Sequence, residues 1–157
     1  MNLDQDSLKA HFGRIWPIHN NAFCDLLVTL RRHFDGDLDR MLVLAIIGSR
    51  TLKDDSIEGL CYEHFMRLER RGEPAPINVQ SIADHSGIPR ETVRRKVKEL
   101  LHTGWIIRRD KGFLIASNKA AADLAPATEA TMHYLLTVVT ACNEAMAGAP
   151  LPPSSEP

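Results

Sequence analysis

The sequence predicts a mainly helical fold organised around one short stretch, residues 78–115, and three observations there carry the prediction. Asn78 can cap a helix in which Val79, Ile82 and Ala83 share one side. Gly87 and Pro89 punctuate a tight turn, after which Val93, Val97, Leu100 and Leu101 recur at helical spacing. That spacing leaves Arg90, Glu91, Arg94, Arg95 and Lys98 on the opposite, outward face. Residues 105–109 and 113–115 are β-rich runs about the glycine-containing turn Asp110-Lys111-Gly112. Helix, turn, basic helix and short hairpin in that order make a winged helix-turn-helix, with further helices expected on either side of it.

The flanking elements follow from caps and periodicity. Asn20 or Asn21 can cap a helix to about Phe34 that carries Phe23, Leu26, Leu27 and Leu30, and Asp35-Gly36-Asp37 breaks it. Asp37 or Asp39 can cap the next, whose run MLVLAII is apolar nearly all round and therefore belongs at the centre of the core. Asp55 with Glu58 forms a capping box for a third helix, roughly 56–70, bearing Ile57, Leu60, Cys61, Phe65 and Leu68. Ile77 is expected to supply a strand residue that pairs with the hairpin. Ser117 or Asn118 can cap an alanine-rich segment, interrupted or bent at Pro126, that continues to about Met146. Its stripe of Met132, Leu135, Val139, Cys142 and Met146 is too long for the compact hairpin unit to cover, so this helix is expected to pair with its counterpart in a second subunit. The expectation is one domain, 1–147, with the winged helix-turn-helix unit at 77–116, a C-terminal helix at 118–147 and a disordered tail at 148–157.

Charge is unevenly distributed. Residues 89–111 hold eight basic side chains against three acidic ones, whereas the rest of the 157-residue chain holds eleven against seventeen. A basic patch on an acidic body favours docking a polyanion by one face. Three widely spaced cysteines, Cys24, Cys61 and Cys142, fit a reducing compartment better than a disulfide framework. The N-terminus has no signal-peptide pattern and the longest apolar run, residues 41–47, is too short to span a bilayer, so a cytoplasmic protein without membrane association is expected.

The segment SIADHSGIPRETVRRKVKELLHTGWI resembles bacterial winged-helix transcriptional regulators of the MarR, GntR and Crp kinds. Ala83, Gly87, Ile88, Arg90, Thr92, Val93, Arg95, Val97, Leu100, Gly104 and Ile106 occupy the recurrent positions of that pattern, which covers about a quarter of the chain. Helices before the motif and a helix after it look most like the MarR arrangement, in which flanking helices build a dimer. The resemblance implies a homodimeric regulator that reads an inverted-repeat operator in double-stranded DNA through helix 90–101 and wing 105–115. Arg90, Thr92, Arg94 and Arg95 match the positions that usually meet DNA, and the outward period adds Lys98. Arg108, Arg109 and Lys111 are suited to phosphates or the adjacent minor groove. Lys96 stands where many relatives carry an apolar or small residue, and its long stem is expected to bend outward. The helix at 56–70 has no counterpart in the MarR arrangement.

Basic residues on a helix most often form a solvated face, but here the excess coincides with the element such a fold inserts into a groove. Other candidates are weaker. Cys61 and His64 lie at i, i+3 and could ligate a metal, with Glu63 off that face, but such a pair is more often a buried cysteine beside a half-exposed histidine. Cys24 and Cys142 read as core or interface residues. His133 beside Tyr134 could line a cavity for a small-molecule effector, expected by default between the dimer helices and the DNA-reading unit, or equally belong to a packed interface, and Trp16 could enter such a cavity or anchor the N-terminal arm. No nucleophile elbow, phosphate-binding glycine loop, HExxH or Cys-x-x-Cys motif is present, so neither catalysis nor a cofactor is expected. A winged-helix adaptor that docks a protein and not DNA is the rival reading, and the basic face counts against it.

Overall fold

The computed structural model describes residues 4–52, 61–67 and 75–148. It is mainly helical, with one two-stranded antiparallel sheet. In chain order the elements are α1 (Gln5–Ala10), α2 (Phe12–His33), α3 (Leu38–Thr51), α4 (Tyr62–Arg67), α5 (Val79–Ser86), α6 (Arg90–His102), β1 (Ile106–Arg108), β2 (Leu114–Ala116), α7 (Asn118–Asp123) and α8 (Ala125–Ala147). The capping box at Asp55 and Glu58 and residues 149–157 lie outside the described residues. Among the described residues no helix is long and apolar enough to cross a membrane. The chain divides into two compact units, residues 30–126 and residues 1–29 with 127–157.

The unit at 30–126 is built around α3. Val43 and Ile47 are fully buried and pack with Ile82 of α5, Val93, Val97 and Leu100 of α6, and Ile106 and Leu114 of the hairpin. The apolar run MLVLAII is thus central, as its composition requires. Asp37 caps α3, its Oδ1 accepting from the Arg40 N–H at 2.9 Å. Phe34 meets Trp105 edge-on, with ring centroids 5.4 Å apart. Trp105 Nε1 in turn donates to Asp123 of α7 at 2.8 Å.

The sheet pairs Ile106 with Ala116, Ile107 with Ile115 and Arg108 with Leu114. The far edge of β2 is not left bare. Its Leu114 N–H donates to the Ile77 carbonyl at 3.0 Å, so Ile77 contributes one backbone bond without forming a strand of its own. The Ala116 N–H donates to Thr51 Oγ1 at 3.0 Å, and that hydroxyl donates onward to the Ile47 carbonyl at 2.8 Å. Thr51 is 2% exposed, so water cannot replace it. Thr51→Val keeps the shape and removes both bonds, leaving the Ala116 N–H without its acceptor. An unmade buried bond of this kind costs about 1–3 kcal/mol, and a shift in the urea midpoint checks the loss.

The unit at 1–29 and 127–157 contains α1, most of α2 and most of α8. Helix α2 begins at Phe12, well before the expected cap at Asn20 or Asn21, and runs through Pro17. Proline in the second turn forfeits a single backbone bond, to the Gly13 carbonyl, and packing of Ile15 against Cys142 and Ala145 holds the helix together regardless. The C-terminal segment breaks at Leu124, two residues before Pro126. Among the described residues of this unit the core is scarce: Ile15, Leu26, Ala127, Ala141, Cys142 and Ala145 are buried. Phe12, Trp16, Phe23 and Leu27 of α2 and Met132, Leu135, Leu136 and Val139 of α8 are exposed, Leu136 at 67%.

Candidate nucleic-acid interface

The basic helix is positioned from both ends. Asn78 caps α5 by accepting the Ser81 N–H at 3.0 Å. Gly87, at φ 71°, closes the helix through its N–H to the Ala83 carbonyl at 2.9 Å. That left-handed backbone is cheap for glycine alone. Ile88 is buried and its N–H donates to Ser86 Oγ at 3.1 Å, which braces the turn before Pro89 opens α6. Beyond α6, Gly104 at φ 75° turns the chain into the hairpin.

Helix α6 buries Val93, Val97 and Leu100 and half-buries Leu101. Arg90, Arg94, Arg95 and Lys98 are exposed, as the period predicts, and Thr92 is half-buried beside them. Glu91 lies 3.6 Å from Arg94, an exposed contact that contributes little and that a phosphate can displace. Arg108, Arg109 and Lys111 are exposed on the hairpin. Lys111 sits at its tip with φ 60°, a conformation that costs a non-glycine residue about 1–3 kcal/mol. A lysine held there projects its cation at the apex of the loop.

One residue of α6 departs from expectation. Lys96 does not bend outward; it is 8% exposed, with its ammonium paired to Asp37 Oδ2 and 3.4 Å from Glu99. Burial by itself would raise the Asp37 carboxyl, but the Lys96 ammonium and the Arg40 N–H together outweigh it and hold the group below its usual value of 3.8. Asp37 therefore does two jobs, capping α3 and anchoring α6 to it. The inward phase of Lys96, three residues after Val93, was the signal in the sequence; its partner is 59 residues away and gave none.

The base of the hairpin is tied to α7. Ser117 Oγ donates to the Gly104 carbonyl at 2.6 Å and accepts the Ala120 N–H at 3.1 Å, capping α7. Asp123 is held below its usual carboxylate value by Lys119 and then by Trp105.

The remaining candidates separate. Cys61 Sγ and His64 Nδ1 meet at 3.2 Å, exposed, and among the described residues no cluster of three or more metal-ligating side chains forms. Cys142 is buried and Cys24 is exposed. In the unit at 1–29 and 127–157, Trp16 stacks on Phe12 at 4.9 Å and Tyr134 Oη lies 3.0 Å from His19 Nδ1. Asn21, Asp25, His133 and Tyr134 line a groove of about 360 Å³ in that same unit.

No family model, curated protein or solved structure matches the chain.

Proposed function

We propose that this chain is a winged helix-turn-helix regulator of transcription of the MarR-like kind, which binds double-stranded DNA as a homodimer. The observation that carries the reading is the division of α6, with Val93, Val97 and Leu100 buried and Arg90, Arg94, Arg95 and Lys98 exposed on the helix that follows the Gly87 turn. Such a helix enters a major groove while the hairpin cations, Arg108, Arg109 and Lys111, reach the adjoining backbone. Thr92 suits a phosphate or a thymine methyl. A protein-docking adaptor has no need of four outward cations on that helix.

The homodimer is supported by the exposed apolar side chains of α2 and α8, too many and too large for a face left in water. Two copies paired through them would present two α6 helices to half-sites one helical turn apart, or a multiple of it. A small-molecule effector that favours one spacing of those helices would shift the DNA-binding population, and the groove at Asp25, His133 and Tyr134 is a candidate place for it.

Binding to a random duplex at low salt, followed by selection of bound sequences from a random pool, tests the reading. We expect log affinity to fall linearly with log salt, by about 0.9 per neutralised phosphate, and the selected sites to be inverted repeats. Affinity insensitive to salt would overturn it. For the dimer, Leu136→Glu is expected to convert a sedimenting dimer into a monomer at micromolar concentration with unchanged helicity. A wild-type monomer under those conditions removes the paired arrangement.

A further inference from the structure

We propose that a groove of about 360 Å³ between α3 and α5 is a binding site for a phosphate oxyanion. Both helices belong to the unit at 30–126. Ile46 and Ile77, both buried, form the apolar floor. The rim is polar and exposed: Ser49 and Arg50 from the last turn of α3, Ser81 and His85 one turn apart on α5. Among the described residues no carboxylate lines it. Asp84, the acidic residue of α5, is engaged by Gln80 Nε2 at 2.7 Å. Among the described residues the side chains of Arg50 and His85 have neither an ion pair nor a hydrogen bond, so their donors are available to a ligand.

This donor set selects its ligand. A guanidinium presents a planar fork that matches two oxygens of a phosphate, and a hydroxyl or an imidazole N–H can complete the shell. The Ser81 hydroxyl, which donates to Asn78 Oδ1 across 3.3 Å, can turn to the ligand at small cost. The shared chemistry is a phosphate oxyanion, and it can come from a duplex backbone or from a free phosphorylated molecule. The duplex source rests on the DNA-binding reading above, in which the first helix of the motif crosses the backbone; the free source does not.

Two measurements on the full chain separate these cases. Inorganic phosphate and pyrophosphate, titrated at constant ionic strength, are expected to give saturable amide shifts at Ser49, Arg50, Ser81 and His85, lost in Arg50→Gln and weakened in His85→Gln. Both substitutions fall at exposed positions, and an unchanged far-UV spectrum establishes that each variant folds. Shifts that do not saturate, or that survive Arg50→Gln, overturn the site. In the second measurement Arg50→Gln is expected to weaken random-duplex binding several-fold at low salt and to flatten the salt slope by about one. If phosphate binding is lost in this variant while duplex affinity is unchanged, the groove serves a free phosphorylated ligand. If the native chain binds phosphate but no duplex, the site stands and the transcription reading falls.

Discussion

Replacing Asp37 with alanine is expected to cost about 2–4 kcal/mol of folding stability, the sum of a lost helix cap and a lysine left buried with one distant partner. Glu99, at 3.4 Å, keeps the loss below that of a fully orphaned charge. Lys96→Met retains the packed stem but leaves the Asp37 carboxylate without its cation, so it too is destabilising, and less so than Asp37→Ala because that carboxylate is 23% exposed and still caps α3. In the Lys96→Met background Asp37→Ala should therefore cost only about 1 kcal/mol, the value of the cap. Urea denaturation of the four proteins completes the cycle, and equal costs in both backgrounds would show that the pair does not couple. Acid offers an independent check. Because the folded Asp37 carboxyl lies below its unfolded value of 3.8, its contribution is present above 3.8 and is lost as pH falls through the lower folded value. Asp37→Ala should flatten that acid limb.

Arg94→Ala and Arg95→Ala are each expected to weaken a specific site by about 1–3 kcal/mol, roughly 5- to 150-fold, if the side chain forks onto a guanine. The loss should fall on the cognate sequence and relax the preference at one base position. Lys111→Ala should act differently, weakening all duplexes alike and flattening the salt dependence by about one. Fluorescence anisotropy at several salt concentrations with cognate and scrambled duplexes distinguishes the two patterns. Unchanged affinity in all three variants would remove α6 and the hairpin as the binding surface.

Legibility in the sequence tracked the range of the interactions concerned. The path from Asn78 through α5, Gly87, α6 and the hairpin was readable because each signal acts within a few residues: a cap three residues from its donor, a glycine at positive φ, valines at helical spacing. The early start of α2 was not readable, because Pro17, Asn20 and Asn21 argue locally for a loop and a cap, and tertiary packing of Ile15 overrides them. Lys96 and Thr51 were missed for a related reason. Their partners, Asp37 and Ala116, lie 59 and 65 residues away, and polar pairing at that range leaves no periodic trace. Nor did anything in the chain's order suggest that Arg50 and His85 line one groove.

Strand β2 ends at Ala116 and Ser117 already caps α7, so no spacer separates hairpin from helix. Slack inserted at that junction would have to break the Ser117 bond to Gly104 or shift the strand register. At the opposite end the turn at 110–112 is solvated and free to grow. The hairpin is in effect a ruler with a fixed zero: variants can alter how far it extends by adding residues at its apex, but the plane from which it springs is set by the helix behind it.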